Sequence, residues 1–202
     1  MSKPTYGKAL NLVLAPLGFV RKGNDFVRIR GDLWECVNLQ FSFVAGTTAN
    51  LEKKDLETQK LLKEALATDW EDCLSPISIR IGHLIDGYDR WWLRDPDGSA
   101  KLAEAVKTHA PAYFERVNSL EEQAANWYGR FGGRGRHLPS QIRLAITLYR
   151  MGELDEARSV IMEPLAKRAS ASGVEEVMRV RRWLGCASSE EEEALPPAPP
   201  CP

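Results

Sequence analysis

The sequence predicts an α+β fold, an antiparallel sheet with helices on one face, followed by a small all-helical module resembling a tetratricopeptide hairpin. Three observations predict it. Between Phe19 and Phe43 the apolar residues recur every second position. Short Gly/Asn/Asp breaks at Gly23-Asn24 and Gly31-Asp32 divide that stretch into hairpin-connected strands. Beyond Pro139 the apolar period is purely helical.

The elements follow in order. Residues 4–17 place Tyr6, Leu10, Val13, Leu14 and Leu17 on one helical face, and Pro16 and Gly18 end it. "FVRK", "DFVRIR" and "LWECVNLQFSF" read as three strands. In the third, Val37, Leu39, Phe41 and Phe43 point one way, and Trp34, Cys36, Asn38, Gln40 and Ser42 the other. Thr47 to Leu51 is compatible with a strand or a loop, and Asp55 to Ala67 favours helix. "ISIRIG" alternates again, with Ile77, Ile79 and Ile81 on the apolar side, and reads as the last strand. Ser99 is the expected N-cap of a helix carrying Leu102, Ala105, Val106, His109, Tyr113, Phe114 and Val117 on one stripe. Pro111 is expected to bend or split it. Ser119 with Glu122 forms a capping box for the next helix, which carries Leu120, Ala124, Trp127, Tyr128 and Phe131.

This organisation gives an α+β domain at 1–130, a Gly/Arg linker at 131–137, a helical module at 138–185, and a disordered acidic and proline-rich tail at 186–202. Ala145, Leu148, Tyr149, Gly152, Leu154 and Ala157 have the small-residue pattern of a single tetratricopeptide-type unit. One such unit cannot bury its own faces and must lean on another element or a partner. Ser172 with Glu175 caps the last helix.

Composition narrows the function. The 202 residues carry 27 Lys plus Arg against 28 Asp plus Glu, a net charge of −1. A chain so balanced lacks the overall pull of a dedicated nucleic-acid binder. The 4 cysteines are scattered, with no CxxC pair, which points to free thiols in a reducing cytoplasm. The N-terminal apolar segment is interrupted by Asn11 and Gly18 and reads as neither signal peptide nor membrane span.

No catalytic constellation emerges. His83, His109 and His137 share no ligand spacing, so no metal or other cofactor is expected, and His109 reads as a core or boundary residue. There is no GxSxG elbow for a nucleophile, and Cys36 and Cys73 read as structural. "FGGRGR" lacks the phosphate-loop pattern, and "DPDG" is a common turn rather than an ion site.

The candidate binding surface is the second face of the sheet. Strict alternation places Arg28, Arg30, Trp34, Asn38, Gln40 and Arg80 there, opposite the helix-covered layer. Arginine, amides and tryptophan together suit recognition of another protein. Trp91 and Trp92 follow the last strand. In extended chain they face opposite ways, so one is expected to plug the core and the other to lie over the polar face near Arg80 or Arg94.

The N-terminal three-fifths, roughly residues 5–128, resembles a bacterial family known as domain of unknown function 4304. The resemblance rests on "LGF" at Leu17 to Phe19, "KGNDFVR" with Gly23, Phe26 and Arg28, "VNLQ" at Val37 to Gln40, "RIGHL" at Arg80 to Leu84, and the Trp91-Trp92 pair, in that order. It implies a compact α+β domain and carries no activity.

The resulting expectation is a cytoplasmic, non-enzymatic protein-binding module acting through the polar sheet face or the helical module, an immunity-like role being one concrete version. The alternatives are an enzyme with a polar cleft near Asn38, Gln40, Arg80 and His83, and RNA binding through "GRFGGRGRH".

Overall fold

A computed structural model describes residues 5–68, 77–93, 97–131, 138–163 and 170–186. Of the expected linker at 131–137 only Phe131 is described, and of the expected tail at 186–202 only Cys186; Cys73, Arg94 and His137 also lie outside the described residues. The chain divides into two compact units, one of residues 1–59 with 72–123, the other of residues 60–71 with 124–202.

In the first unit, α1 (Tyr6–Leu14) passes through a 3₁₀ turn into β1 (Val20–Lys22), β2 (Asp25–Arg30), β3 (Leu33–Ser42) and β4 (Gly46–Asp55). Helix α2 (Leu56–Leu66), which belongs to the second unit from Lys60 onward, follows, then β5 (Ile77–Arg80), α3 (Ile81–Asp86) and α4 (Gly98–Arg116). The five strands form one antiparallel sheet in the order β1-β2-β3-β4-β5, as short turns dictate for the first three. The open question at 47–52 resolves as strand, because β4 pairs with β3 over ten positions.

The core lies on the face of Phe26, Val37, Leu39, Ala49, Leu51 and Ile77, all buried. Helices α1 and α4 pack against each other, and α4 against β4. Phe114 on α4 meets Phe19 with ring centroids 5.8 Å apart, and Tyr113 donates its hydroxyl to the Ile77 carbonyl at 3.1 Å.

Several expectations are corrected. Ile81 does not end a strand; it is the first residue of α3, still buried, and that helix closes at Gly87, whose φ of 76° lets its N–H reach the His83 carbonyl. Helix α4 starts at Gly98, so Ser99 is buried inside it rather than capping it. Pro111 does not split α4, which is continuous from Gly98 to Arg116. Phe43 is 96% exposed because it lies past the end of β3, in a turn where Ser42 Oγ accepts the N–H groups of Val44 and Ala45. Phe41 shares the core face by register, opposite Thr47, yet is 49% exposed near the strand's end.

In the second unit α5 (Leu120–Phe131), whose first turn belongs to the first unit, packs with α6 (Leu138–Met151), α7 (Leu154–Met162) and α8 (Ala171–Trp183). The Ser119 hydroxyl accepts the Glu122 N–H, as the capping box requires. At α8 the cap is Ser170, not Ser172: its hydroxyl accepts the Gly173 N–H. Helix α6 is buried on all sides from Ser140 to Leu148, and Gln141 there donates to the Val160 carbonyl of α7 at 2.8 Å.

Cations recur at helix C-terminal ends, where backbone carbonyls lack intrahelical partners. Arg28 donates to the Leu17 carbonyl at 2.7 Å and Lys53 to the Phe114 carbonyl at 2.6 Å. In the second unit Arg179 does so for Leu66 at 2.6 Å, Arg181 for Ile161 and Arg158 for Leu184 at 3.0 Å. These five cations are therefore structural.

Candidate functional site

Strand register decides which of the candidate residues share a surface. Asn38 pairs with Asn50, Gln40 with Thr48, Trp34 with Lys54, and Asn50 with Arg80, so Trp34, Asn38, Gln40 and Arg80 share one face. Arg28 and Arg30 do not. The two-residue turn at Gly31-Asp32 pairs Arg30 with Leu33 and Arg28 with Glu35, which puts both arginines on the face of Val37 and Leu39. The candidate surface loses these two cations.

There they build an internal ion cluster. Glu35 is fully buried and accepts from Arg28 at 2.5 Å and 2.8 Å, from Arg30 at 2.8 Å, and faces Lys53 Nζ at 3.6 Å. Lys53, 2% exposed, also donates to the Asn118 side chain. Arg30 reaches on to Glu115 at the end of α4 at 2.7 Å. Burial holds the Lys53 ammonium below its ordinary range, and the Glu35 charge opposes that shift. Arg30 holds the exposed Glu115 carboxyl below the usual carboxylate range. Arg28 also lies over the Phe19 ring at 4.4 Å. The cluster ties the sheet to α4.

The other face is organised around Arg80. Its Nη2 donates to Gln40 Oε1 at 3.0 Å, its Nε to Asn50 Oδ1 at 3.4 Å, and its Nη1 to Asp89. The guanidinium lies 5.0 Å from the Trp91 ring centroid, and Trp91 Nε1 donates to Asp89 at 3.2 Å. The Arg80 hydrogen bond, chiefly, holds the Asp89 carboxyl below its ordinary range. Asn38 donates to Asp25 at 2.6 Å, and Lys54 stacks on Trp34 at 4.8 Å. Trp34, Asn38, Gln40, Arg80 and Trp91 are all half-buried.

The tryptophan pair divides as the alternation requires. Trp92 is the plug: it is 8% exposed and exchanges both backbone hydrogen bonds with Thr47, at 2.8 and 2.9 Å. Gly46 makes room for it, because a Cβ there would stand 2.3 Å from the Trp92 carbonyl oxygen. Trp91 turns to the Arg80 side.

Cys36 shares the polar face but is itself covered. Burial, then repulsion from Asp25 and Glu52, pushes its thiol up to about 12. Glu52 is in turn raised, chiefly by burial and by Asp25. A thiol so protonated is a poor nucleophile. Cys36 is therefore expected to resist Ellman's reagent at pH 8 in the native protein and to react on unfolding; fast native labelling of Cys36 would contradict this burial. Because the folded value is raised, this group's contribution to stability is complete below the ordinary thiol range and is lost as pH rises toward about 12.

His83 is exposed on α3, its Nδ1 3.3 Å from the Gly87 carbonyl oxygen. His109 lies half-buried on α4. Among the described residues no three His, Cys, Asp or Glu side chains gather as a metal site, and no helix is long and apolar enough to cross a membrane. The polar face thus carries guanidinium, ammonium, amide, carboxylate, thiol and indole groups.

A model for a domain of unknown function, DUF4304, matches residues 10–119, more than half of the chain. The chain belongs to the DUF4304 family. The DUF4304 match takes in the whole sheet, α3 and α4 and ends before α5. It therefore contains both the ion cluster and the Arg80–Trp91 surface. No curated protein and no solved structure matches the chain.

Proposed function

We propose that this DUF4304 chain is a non-catalytic binding module that engages another protein through the sheet face bearing Trp34, Asn38, Gln40, Arg80 and Trp91. The observation that carries the reading is the state of Arg80. Three hydrogen-bonding partners and one indole ring fix it in place, yet it remains 28% exposed. Side chains locked before binding lose little entropy on association. Arginine and tryptophan are also the residues most often found to dominate protein interfaces. Arg28 and Arg30 have no part in it. The α6–α7 pair is read as a single tetratricopeptide-like hairpin, a supporting element rather than a second binding site.

The experiment is affinity capture from the native host with wild-type chain, Arg80→Glu, Trp91→Ala and a distant surface control, Lys107→Glu. A specific partner is expected to be lost from the first two variants and kept by the control, with cross-links mapping to strands β3 and β5. A partner retained by both Arg80→Glu and Trp91→Ala would overturn the reading.

A further inference from the structure

A second recessed site lies on the other side of the tryptophan pair. Ile85 of α3, Arg90 and Trp92, and Lys101, Glu104, Ala105, Thr108 and His109 of α4 line a pocket of about 380 Å³. That volume falls at the lower end of small-molecule sites, roughly 300–1,000 Å³. The surface it exposes is mainly apolar, contributed by Ile85, Ala105 and the small part of Trp92 that core packing leaves accessible, 8% of the residue.

The polar groups around that surface are biased toward positive charge. Arg90 is anchored through Nη2, at 2.6 Å from Asp86 and 3.1 Å from the Tyr88 hydroxyl, and among the described residues its Nε and Nη1 have no hydrogen-bond partner. Its guanidinium lies 5.9 Å from the Trp92 ring centroid. Lys101, Thr108 and His109 spend no side-chain donor on a described neighbour. The single carboxylate of the lining, Glu104, lies 3.8 Å from Lys107 outside it. Two cations and two further donors thus flank that apolar surface, in a chain whose net charge is −1.

We propose that this pocket binds a small organic anion with a flat apolar body, an aryl carboxylate in chemical class. The ring lies against Trp92 and Ala105, and the carboxylate is taken by Arg90 and Lys101. A charge-assisted contact to a preset guanidinium is stronger than a neutral hydrogen bond. The pocket shares no lining residue with the Arg80 surface, so the two readings stand or fall separately.

The test is a titration of the full chain with benzoate and phenylacetate, followed by amide and indole N–H shifts in two-dimensional NMR. 2-Phenylethanol and phenethylamine serve as neutral and cationic counterparts. Saturable shifts are expected at the Trp92 indole and at the Ala105 and Thr108 amides, with weaker binding of the alcohol and the amine. Lys101→Glu, on the surface, should weaken the acids about fivefold, the scale of one exposed charge pair. Ala105→Phe should abolish the shifts by filling the pocket while the rest of the spectrum stays in place. The proposal is overturned if neither acid gives saturable shifts at concentrations on the order of 10 mM. It is equally overturned if the shifts map elsewhere, or if the amine binds as well as the acids.

Discussion

Glu35→Ala is expected to lower the unfolding free energy by about 3–5 kcal/mol, the cost of breaking a buried ion cluster from one side. Among the described residues, Glu35 is the one fully buried carboxylate facing Arg28, Arg30 and Lys53. Its removal leaves the Lys53 ammonium, 2% exposed, with the Phe114 carbonyl and the Asn118 side chain as its described partners beside two guanidinium groups. Lys53→Met is expected to cost less, about 1–3 kcal/mol, the scale of leaving buried acceptors unpaired. In that variant Glu35 keeps both arginines. The order of the two losses, read by urea denaturation, is the informative result. A larger loss for Lys53→Met than for Glu35→Ala would show that the cluster is centred on the lysine instead.

Trp92→Ala is expected to cost about 3–5 kcal/mol, as for other large-to-small aromatic deletions in a core. The indole fills the layer beside β4, and its backbone continues the sheet edge at Thr47. Trp91→Ala removes a half-exposed ring under Arg80 and is expected to cost about 1 kcal/mol or less, the scale of an exposed cation–π contact. Melting curves of the two variants check this directly. Equal losses would mean that the adjacent tryptophans do not divide between core and surface.

The parts of this fold written in local pattern were legible. Alternation found β2, β3 and β5, and the helical period found α1, α4 and α6, because those signals depend only on neighbours along the chain. The motif order around Gly23, Val37 and Trp91 pointed to the family that the match to residues 10–119 establishes. What alternation does not supply is the phase between strands. The turn at Gly31-Asp32 is two residues long, so even positions of β2 lie beside odd positions of β3. Arg28 and Arg30 therefore face inward with Glu35, although each looks like a surface cation in its own strand. The turn length could have revealed this.

Other features had no local signal. Arg179 ends α2 from 113 positions away, and Lys53 ends α4 from 61 away. An arginine bound to a distant helix carbonyl has the same sequence appearance as one awaiting a partner. On the polar face, Asn50 and Asp89 were missed for a similar reason. Asn50 became visible only when β4 was placed, and Asp89 only through its contact with Arg80. The pocket beside Trp92 depends on how α3 and α4 approach, and α3 itself was hidden in what reads as the end of a strand.

The most direct measurement is urea denaturation of Arg28→Ala against Arg80→Ala. If register assigns Arg28 to the internal cluster and Arg80 to the open face, the first variant loses at least about 2 kcal/mol, and the second about 1 kcal/mol or less, since a half-exposed pair is screened by water. Equal losses, or a larger loss for Arg80→Ala, would contradict that assignment and leave the proposed binding face without its structural basis.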